Sequence, residues 1–293
     1  MSDTTFLVAG GDLRQTYMAA SLAKRYRVYA VGFDKKIITS PDVRVLDSLL
    51  ELESRVDCLV LPLPASNDGG TVNTPFSSLS LPLSSLPNRL IQGGLVLAGR
   101  VDDNLRRIFE RAGAEVIDYF QREELAVLNA IPTAEGALQI AMEELPRTIF
   151  GCSVLVTGYG RIARTLTRAL TALGANVSVA ARKYGDLAWA QIAGCESVHI
   201  SELDARLGDY ELVFNTVPAM VLDEAKLALL KPGCMVIDLA SKPGGVDFET
   251  ARRLGIKTIW ALSLPGKVAP VTSGEMIADT ICNILLERGE EHV

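Results

Sequence analysis

The sequence predicts an α/β protein made of two doubly wound parallel-sheet domains with a cleft between them. Three observations carry this expectation. Short apolar runs alternate with stretches of helical periodicity along most of the 293 residues, the pattern of parallel sheets covered on both faces. The length itself favours two domains over one. The alternation also falls into two halves of similar rhythm, and the second half holds six regular strand runs.

In the first half, strands are expected at 5–9, 27–31, 57–61, 95–98 and 115–117, with helices at 13–25 and 102–112. Between the third and fourth strands lies "PLPASNDGGTVNTPFSSLSLPLSSLPNRL", rich in Ser, Pro and Gly. A loop this long in a compact domain is usually functional or disordered. It begins at a strand's C-terminal end, where open α/β sheets place ligands. Next, "NAIPTAEGALQIAMEEL" has Pro132 at a first-turn position and apolar residues at helical spacing, so it reads as a connecting helix over 132–145. The second half places strands at 153–157, 176–181, 197–200, 211–215, 234–239 and 257–261. The final segment, "TSGEMIADTICNILLER", is an amphipathic helix expected to return to the first domain. The expected division is a flavodoxin-like, substrate-binding domain over 1–131, completed by a C-terminal helix at 271–293, and a dinucleotide-binding domain over 132–270.

Composition narrows the function. With 48% hydrophobic and 22% charged residues the chain is of ordinary globular type. A net charge of −6 argues against a broad nucleic-acid footprint. Neither a signal peptide nor a membrane span is expected. The five cysteines (Cys58, Cys152, Cys195, Cys234, Cys282) are scattered, odd in number and without CxxC spacing. That argues against a disulfide framework and a zinc site, and no metal is expected in a reducing cytoplasm. The two histidines are His199, near a strand end, and His292. Neither is well placed as a general base, so zincins, Ser-His-Asp hydrolases and His-dependent dehydrogenases recede.

The chemistry begins at "VLVTGYGRIARTL", residues 154–166. Gly158-Tyr159-Gly160-Arg161-Ile162-Ala163 is G-x-G-x-x-A, a form of the dinucleotide fingerprint. Gly158 permits the tight turn, Gly160 lets the backbone approach the pyrophosphate, and Ala163 allows close packing of helix on strand. Alone this could be a structural turn. Here it closes a strand, opens a helix and begins the six-strand pattern of a Rossmann domain. NAD-binding chains usually carry an acid at the end of the second strand. This chain has Arg182 and Lys183 in "NVSVAARKYG". Two cations suit the 2′-phosphate of NADP(H) and leave NAD's ribose without its acceptor, although a solvated basic pair is the alternative. The first strand ends differently, in Gly10-Gly11-Asp12-Leu13-Arg14-Gln15. A second cofactor is not expected there; Arg14 is either a contact for a substrate anion or a surface residue.

In the second half, loops after the later strands face the expected nicotinamide. "NTVPAM" brings Thr216, Val217 and Pro218 beside it. "DLASKPGGVDF" carries Ser241 and Lys242 straight after a buried strand. Lys242 could bind a carboxylate or move a proton, with burial beside the cofactor lowering its pKa; a solvated loop lysine is the alternative. The segment "ALSLPGKVAPVTSGE" lies where 2-hydroxyacid dehydrogenases keep their catalytic histidine, and it has none.

Together "GGDLRQ", "VGFD", "IPTAEG", "TGYGRIA", "NTVPAM", "DLASKPGGVDF" and "LPGKVAPVTSG" resemble, in order from about residue 6 to 285, the dipicolinate synthase A-chain family of spore-forming bacteria. The serine-rich stretch 77–88 carries none of these motifs. The resemblance implies oxidation of dihydrodipicolinate to pyridine-2,6-dicarboxylate during sporulation, with a nicotinamide cofactor taking the hydride. It also implies the flavoprotein-like B chain of dipicolinate synthase as partner and the mother-cell cytoplasm as location. A homo-oligomer is expected. A substrate with two carboxylates calls for cationic or N–H-rich loops: Arg14 and Ser66 on one side, Lys242 and Lys267 on the other, with Glu135 orienting a cation or taking a proton. The alternatives are an NADP-dependent reductase of another small keto or imino acid, a cofactor-binding chain active only with its partner, and an NADP sensor.

Overall fold

The computed structural model describes residues 3–38 and 40–289 of the chain. It divides into two compact units, one of residues up to 128 with those from 269 onward, the other of residues 129–268.

The first unit holds β1 (Thr5–Ala9), α1 (Leu13–Leu22), β2 (Arg27–Val31), β3 (Val43–Leu46), β4 (Val56–Val60), β5 (Leu90–Ala98), α2 (Asp103–Glu110), β6 (Glu115–Asp118), α3 (Glu123–Leu128) and α10 (Pro270–Glu287). Its parallel sheet runs β3-β2-β1-β4-β5-β6. Without β3, the remaining five strands follow the flavodoxin-like order. Strand periodicity sends alternate residues to opposite faces. Phe6 and Val8 therefore join a core with Met18 of α1 and Ile277, Ile281 and Leu285 of α10, whereas Leu7 and Ala9 join one with Leu83, Leu105 and Phe109.

The second unit holds α4 (Ala130–Glu144), β7 (Ser153–Thr157), α5 (Arg161–Ala172), β8 (Asn176–Ala181), α6 (Tyr184–Ile192), β9 (Glu196–His199), β10 (Leu212–Asn215), α7 (Glu224–Leu227), β11 (Met235–Asp238), α8 (Phe248–Arg253), β12 (Lys257–Trp260) and α9 (Leu264–Val268). Its sheet is also parallel, in the order β12-β11-β10-β7-β8-β9, the Rossmann sequence of strands. The same alternation puts Val154, Val156 and Phe214 against α4 and α5, and Leu155 and Val213 against Leu203, Leu207 and Leu227.

Several expectations need correction. β3 was not anticipated: its "VRVL" is short, and Arg44 interrupts its apolar character at a sheet edge. The helix expected at 13–25 ends at Leu22, and that at 102–112 spans Asp103–Glu110 because Asp102 and Arg111 serve as its caps. The connecting helix starts at Ala130, and the last helix is described as Pro270–Glu287. The long loop after β4 carries short 3-10 turns at Leu83–Ser85 and Pro87–Arg89 and a bridge between Thr71 and Pro82. The segment around Lys267 forms α9 rather than a loop. Glu123–Glu144 is long and apolar enough to cross a membrane by length and composition only. Here it comprises α3 and α4, and Ala134, Ala137, Leu138 and Ala141 of α4 are buried in the core of the second sheet.

Candidate functional site

The turn after β7 shows why its glycines stand where they do. Gly158 has φ +83°, and a Cβ there would meet Thr216 Oγ1 at 2.7 Å and Val217 Cγ2 at 2.9 Å. Its N–H donates to the Ala180 carbonyl at 2.8 Å, tying the turn to β8. Gly160 caps the N-terminus of α5 without a side chain, is exposed, and has nothing within 4 Å of where a Cβ would sit. Ala163 is fully buried beneath it. The result is an open cradle at a helix N-terminus, which fits a dinucleotide's diphosphate. Tyr159 turns inward: it is buried, and its Oη reaches the Trp189 carbonyl of α6 at 3.5 Å. Arg164 lies over the rings of both Tyr159 and Trp189, and burial raises the Tyr159 pKa. Tyr159 thus offers the cradle its backbone. Arg161 is exposed at the start of α5, and Ile162 packs partly into the core.

Beside the cradle lies a buried polar network not anticipated from the sequence. Thr157, Asn215 and Asp238 end β7, β10 and β11, and register places Asn215 directly opposite both of the others. All three are fully buried. Thr157 Oγ1 donates to Asn215 Oδ1 at 2.6 Å, and Asn215 Nδ2 donates to Asp238 Oδ1 at 2.7 Å. Asp238 also accepts from the backbone N–H groups of Ala240 at 3.0 Å and Gly245 at 2.8 Å. Thr216 Oγ1 donates to the Thr157 carbonyl at 2.8 Å, while Val217 N–H donates to Asn215 Oδ1 at 3.2 Å. A Cβ on Gly245 would fall 2.6 Å from the Val217 carbonyl, so two loops pack without room for a side chain. Buried polar groups satisfied in this way fix loop geometry. Thr216 and Val217 are partly buried beside Gly158; Pro218 is exposed.

Lys242 sits on the outer part of the loop held by Asp238. Its side chain is exposed. Lys267 on α9 and Glu135 on α4 are exposed as well. Their helices are close, since a Cβ on Gly136 would lie 3.2 Å from Leu264 and Val268.

At the exit of β8, Arg182 and Lys183 are both exposed, and Tyr184 opens α6. His199, at the end of β9, lies 3.2 Å through Nε2 from the Arg182 carbonyl. A carbonyl only accepts, so Nε2 carries the proton and Nδ1 accepts from Ser201 N–H at 3.3 Å. The imidazole stacks on Tyr184 with ring centroids 5.0 Å apart. His292 lies outside the described residues.

In the first unit, Gly10 and Gly11 both have positive φ, and Asp12 forms a capping box with Gln15. Arg14 is buried, not a surface residue. Its guanidinium pairs with Asp12 at 2.8 Å and donates to the Leu63 carbonyl at 2.8 Å. Ser66 Oγ donates to Asp68 Oδ1 at 3.0 Å and accepts from Gly69 N–H at 2.9 Å. Hydrogen bonds from Thr71, then from Gly70 and Ser66, hold Asp68 well below the usual carboxylate range. Arg14 and Ser66 therefore belong to one loop assembly at the C-terminal end of the first sheet. Among the described residues no group of three His, Cys, Asp or Glu side chains could hold a metal.

The chain is similar to known proteins in sequence and in fold. Residues 5–120 match the family model for the N-terminal domain of the dipicolinate synthase A chain. The A chain of dipicolinate synthase from Bacillus subtilis (strain 168) is 34% identical over 283 residues, covering 96% of this chain and 95% of that protein. The crystal structure of the dipicolinate synthase A chain from Bacillus subtilis superposes with a TM-score of 0.89 at 33% identity, over 99% of both chains. A transhydrogenase from Sinorhizobium meliloti shares the fold, with a TM-score of 0.70 at 14% identity over 96% of this chain and 94% of that one.

Proposed function

The chain belongs to the dipicolinate synthase A-chain family, and on that premise we propose that it is an NADP-dependent oxidoreductase forming pyridine-2,6-dicarboxylate from dihydrodipicolinate. The observation that carries this reading is the open cradle at Gly160, combined with the exposed Arg182-Lys183 pair at the exit of β8. Bound there, the nicotinamide cofactor would accept the hydride. The substrate arises from 4-hydroxytetrahydrodipicolinate by loss of water. Its oxidation removes a hydride from one ring carbon and a proton from the neighbouring one, leaving an aromatic ring. No alcohol is deprotonated, so a site without histidine suffices.

In this reading Arg161, Arg182 and Lys183 meet the cofactor's phosphates, and Thr216, Val217 and Pro218 border its nicotinamide end. Lys242 binds a substrate carboxylate or takes the ring proton, with Lys267 and Glu135 supplying further charge. Arg14 and Ser66 shape the loop at 61–69, since their polar atoms engage Asp12, Leu63, Asp68 and Gly69. The setting is the mother-cell cytoplasm of a sporulating bacterium, with the flavoprotein-like B chain as partner and self-association into a homo-oligomer. The exposure of Lys242 favours a second reading, in which the chain binds cofactor alone and turns over substrate only with that partner.

Titrating the chain with NADPH and NADH, by tryptophan fluorescence or heat of binding, tests the reading. NADPH is expected to bind at least about tenfold tighter, the scale of one charge-assisted phosphate contact, and Arg182→Asp should erase the difference. Lys242→Met should retain NADPH binding and lose turnover, assayed with the partner chain present. Equal affinities reduce Arg182 and Lys183 to surface charges, and near-normal turnover removes Lys242 from the site.

A further inference from the structure

The two cations assigned to the 2′-phosphate lie just beyond the end of a strand, and among the described residues neither side chain makes a hydrogen bond that fixes the backbone there. Both are exposed. The Lys183 carbonyl accepts from the N–H groups of Asp186 at 3.0 Å and Leu187 at 3.2 Å as α6 begins, and the next strand over holds the peptide just before it. β8 and β9 are paired so that Ala181 faces His199, which places the imidazole beside the first residue after β8. Nε2–H bonds the carbonyl of Arg182 itself, at 3.2 Å. On its other edge Nδ1 meets Ser201, with N–H at 3.3 Å and Oγ at 2.7 Å, so both ring nitrogens are used and the tautomer is set. The ring face stacks on Tyr184 at 17° between planes, and Tyr184 remains 76% exposed. One side chain therefore grips the peptide before Lys183 and the ring after it.

We propose that His199 is a positioning residue for nucleotide selection: by clamping the Arg182 carbonyl and the Tyr184 ring it holds the Arg182-Lys183 pair where a 2′-phosphate binds. This rests on the NADP reading above. The clamp acts before ligand arrives, and its effect falls on the phosphorylated cofactor because only that ligand uses both cations. Ordering a flexible arginine and lysine at the moment of binding would otherwise oppose affinity.

The test compares NADPH and NADH affinities of the full chain for wild type, His199→Ala, His199→Gln and Tyr184→Ala, with thermal melting to check folding. His199→Ala is expected to weaken NADPH about tenfold while NADH changes less than about twofold, a selective loss that general destabilisation does not produce. Glutamine places an amide N–H near the position of Nε2, so His199→Gln should recover most of the lost NADPH affinity. Tyr184→Ala keeps the imidazole and should give an intermediate loss. If wild type prefers NADPH and His199→Ala prefers it equally, or loses both ligands alike, the clamp is overturned while the NADP reading stands. If wild type shows no preference, the NADP reading falls and takes the clamp with it.

Discussion

Gly158 and Gly160 stand two residues apart and are glycines for different reasons. At Gly158 the backbone itself requires it, with φ +83° and Thr216 Oγ1 2.7 Å from any Cβ. Gly158→Ala should cost about 2 kcal/mol and lower the melting temperature by several degrees. At Gly160 the backbone is at φ −80°, open to any residue, and the space above is empty. Gly160→Ala should melt within about 1 kcal/mol of wild type, yet lose NADPH affinity by about tenfold or more as its methyl enters the cradle. Melting curves and titrations on the two variants separate these effects; normal binding by Gly160→Ala would mean that the open face is not where the diphosphate sits. These glycines were legible because their spacing lies within one stretch of chain. Thr157, Asn215 and Asp238 were not, since each is only the polar residue closing an apolar run in "VLVT", "LVFN" and "MVID". They become a network when β10 lies between β7 and β11, and lateral strand order is not written locally. Arg14 was legible as a cation but not as a buried one, because its partner carbonyl, Leu63, lies far along the chain.

Among the elements, regular strands and helices were readable wherever both sheet faces are covered, since burial makes their apolar runs continuous. The edge strand β3 and the short helix α9 fell below that signal. What holds α10 in place was equally hidden. Arg122, just before α3, makes a fork with Glu287 near the end of α10, at 2.7 and 2.6 Å. Close by, Arg288 reaches Glu115 at 2.6 Å. The hydrogen bonds that Arg122 donates hold the Glu287 pKa below its ordinary value, and those it donates to Glu287 and Glu124 raise its own. A carboxylate with a depressed folded pKa adds stability above its unfolded value, and that contribution is lost as pH falls through the folded one. The acid limb of the first unit's stability should thus begin below about pH 4.5. Glu287→Gln should lower stability slightly at neutral pH and flatten that limb, as read from urea unfolding at pH 7 and pH 3.5. An unchanged acid slope would show that the fork contributes nothing. Both side chains are partly in solvent, so added salt should weaken the effect.

At the scale of the whole molecule, each unit has its own sheet and cores, but only the second draws them from one continuous stretch. Residues 129–268 contain every member of two cores, whereas one core of the first unit takes Ile277, Ala278, Ile281, Ile284 and Leu285 from α10. Gly274 is part of that docking, since a Cβ there would fall 2.5 Å from the Arg14 carbonyl. A fragment of residues 129–268 should therefore melt cooperatively alone. One of residues 1–128 should not, and adding a peptide spanning 269–289 should restore its transition; circular dichroism of the three samples decides. During synthesis the consequence is a reversal of order. The first six strands leave the ribosome, then wait on the order of ten seconds for α10 while the remaining residues are added. In that interval Phe6, Val8 and Met18 lack the helix that covers them. The unit made second has all its residues first, and the unit made first keeps an uncovered apolar face for as long as the second is being made.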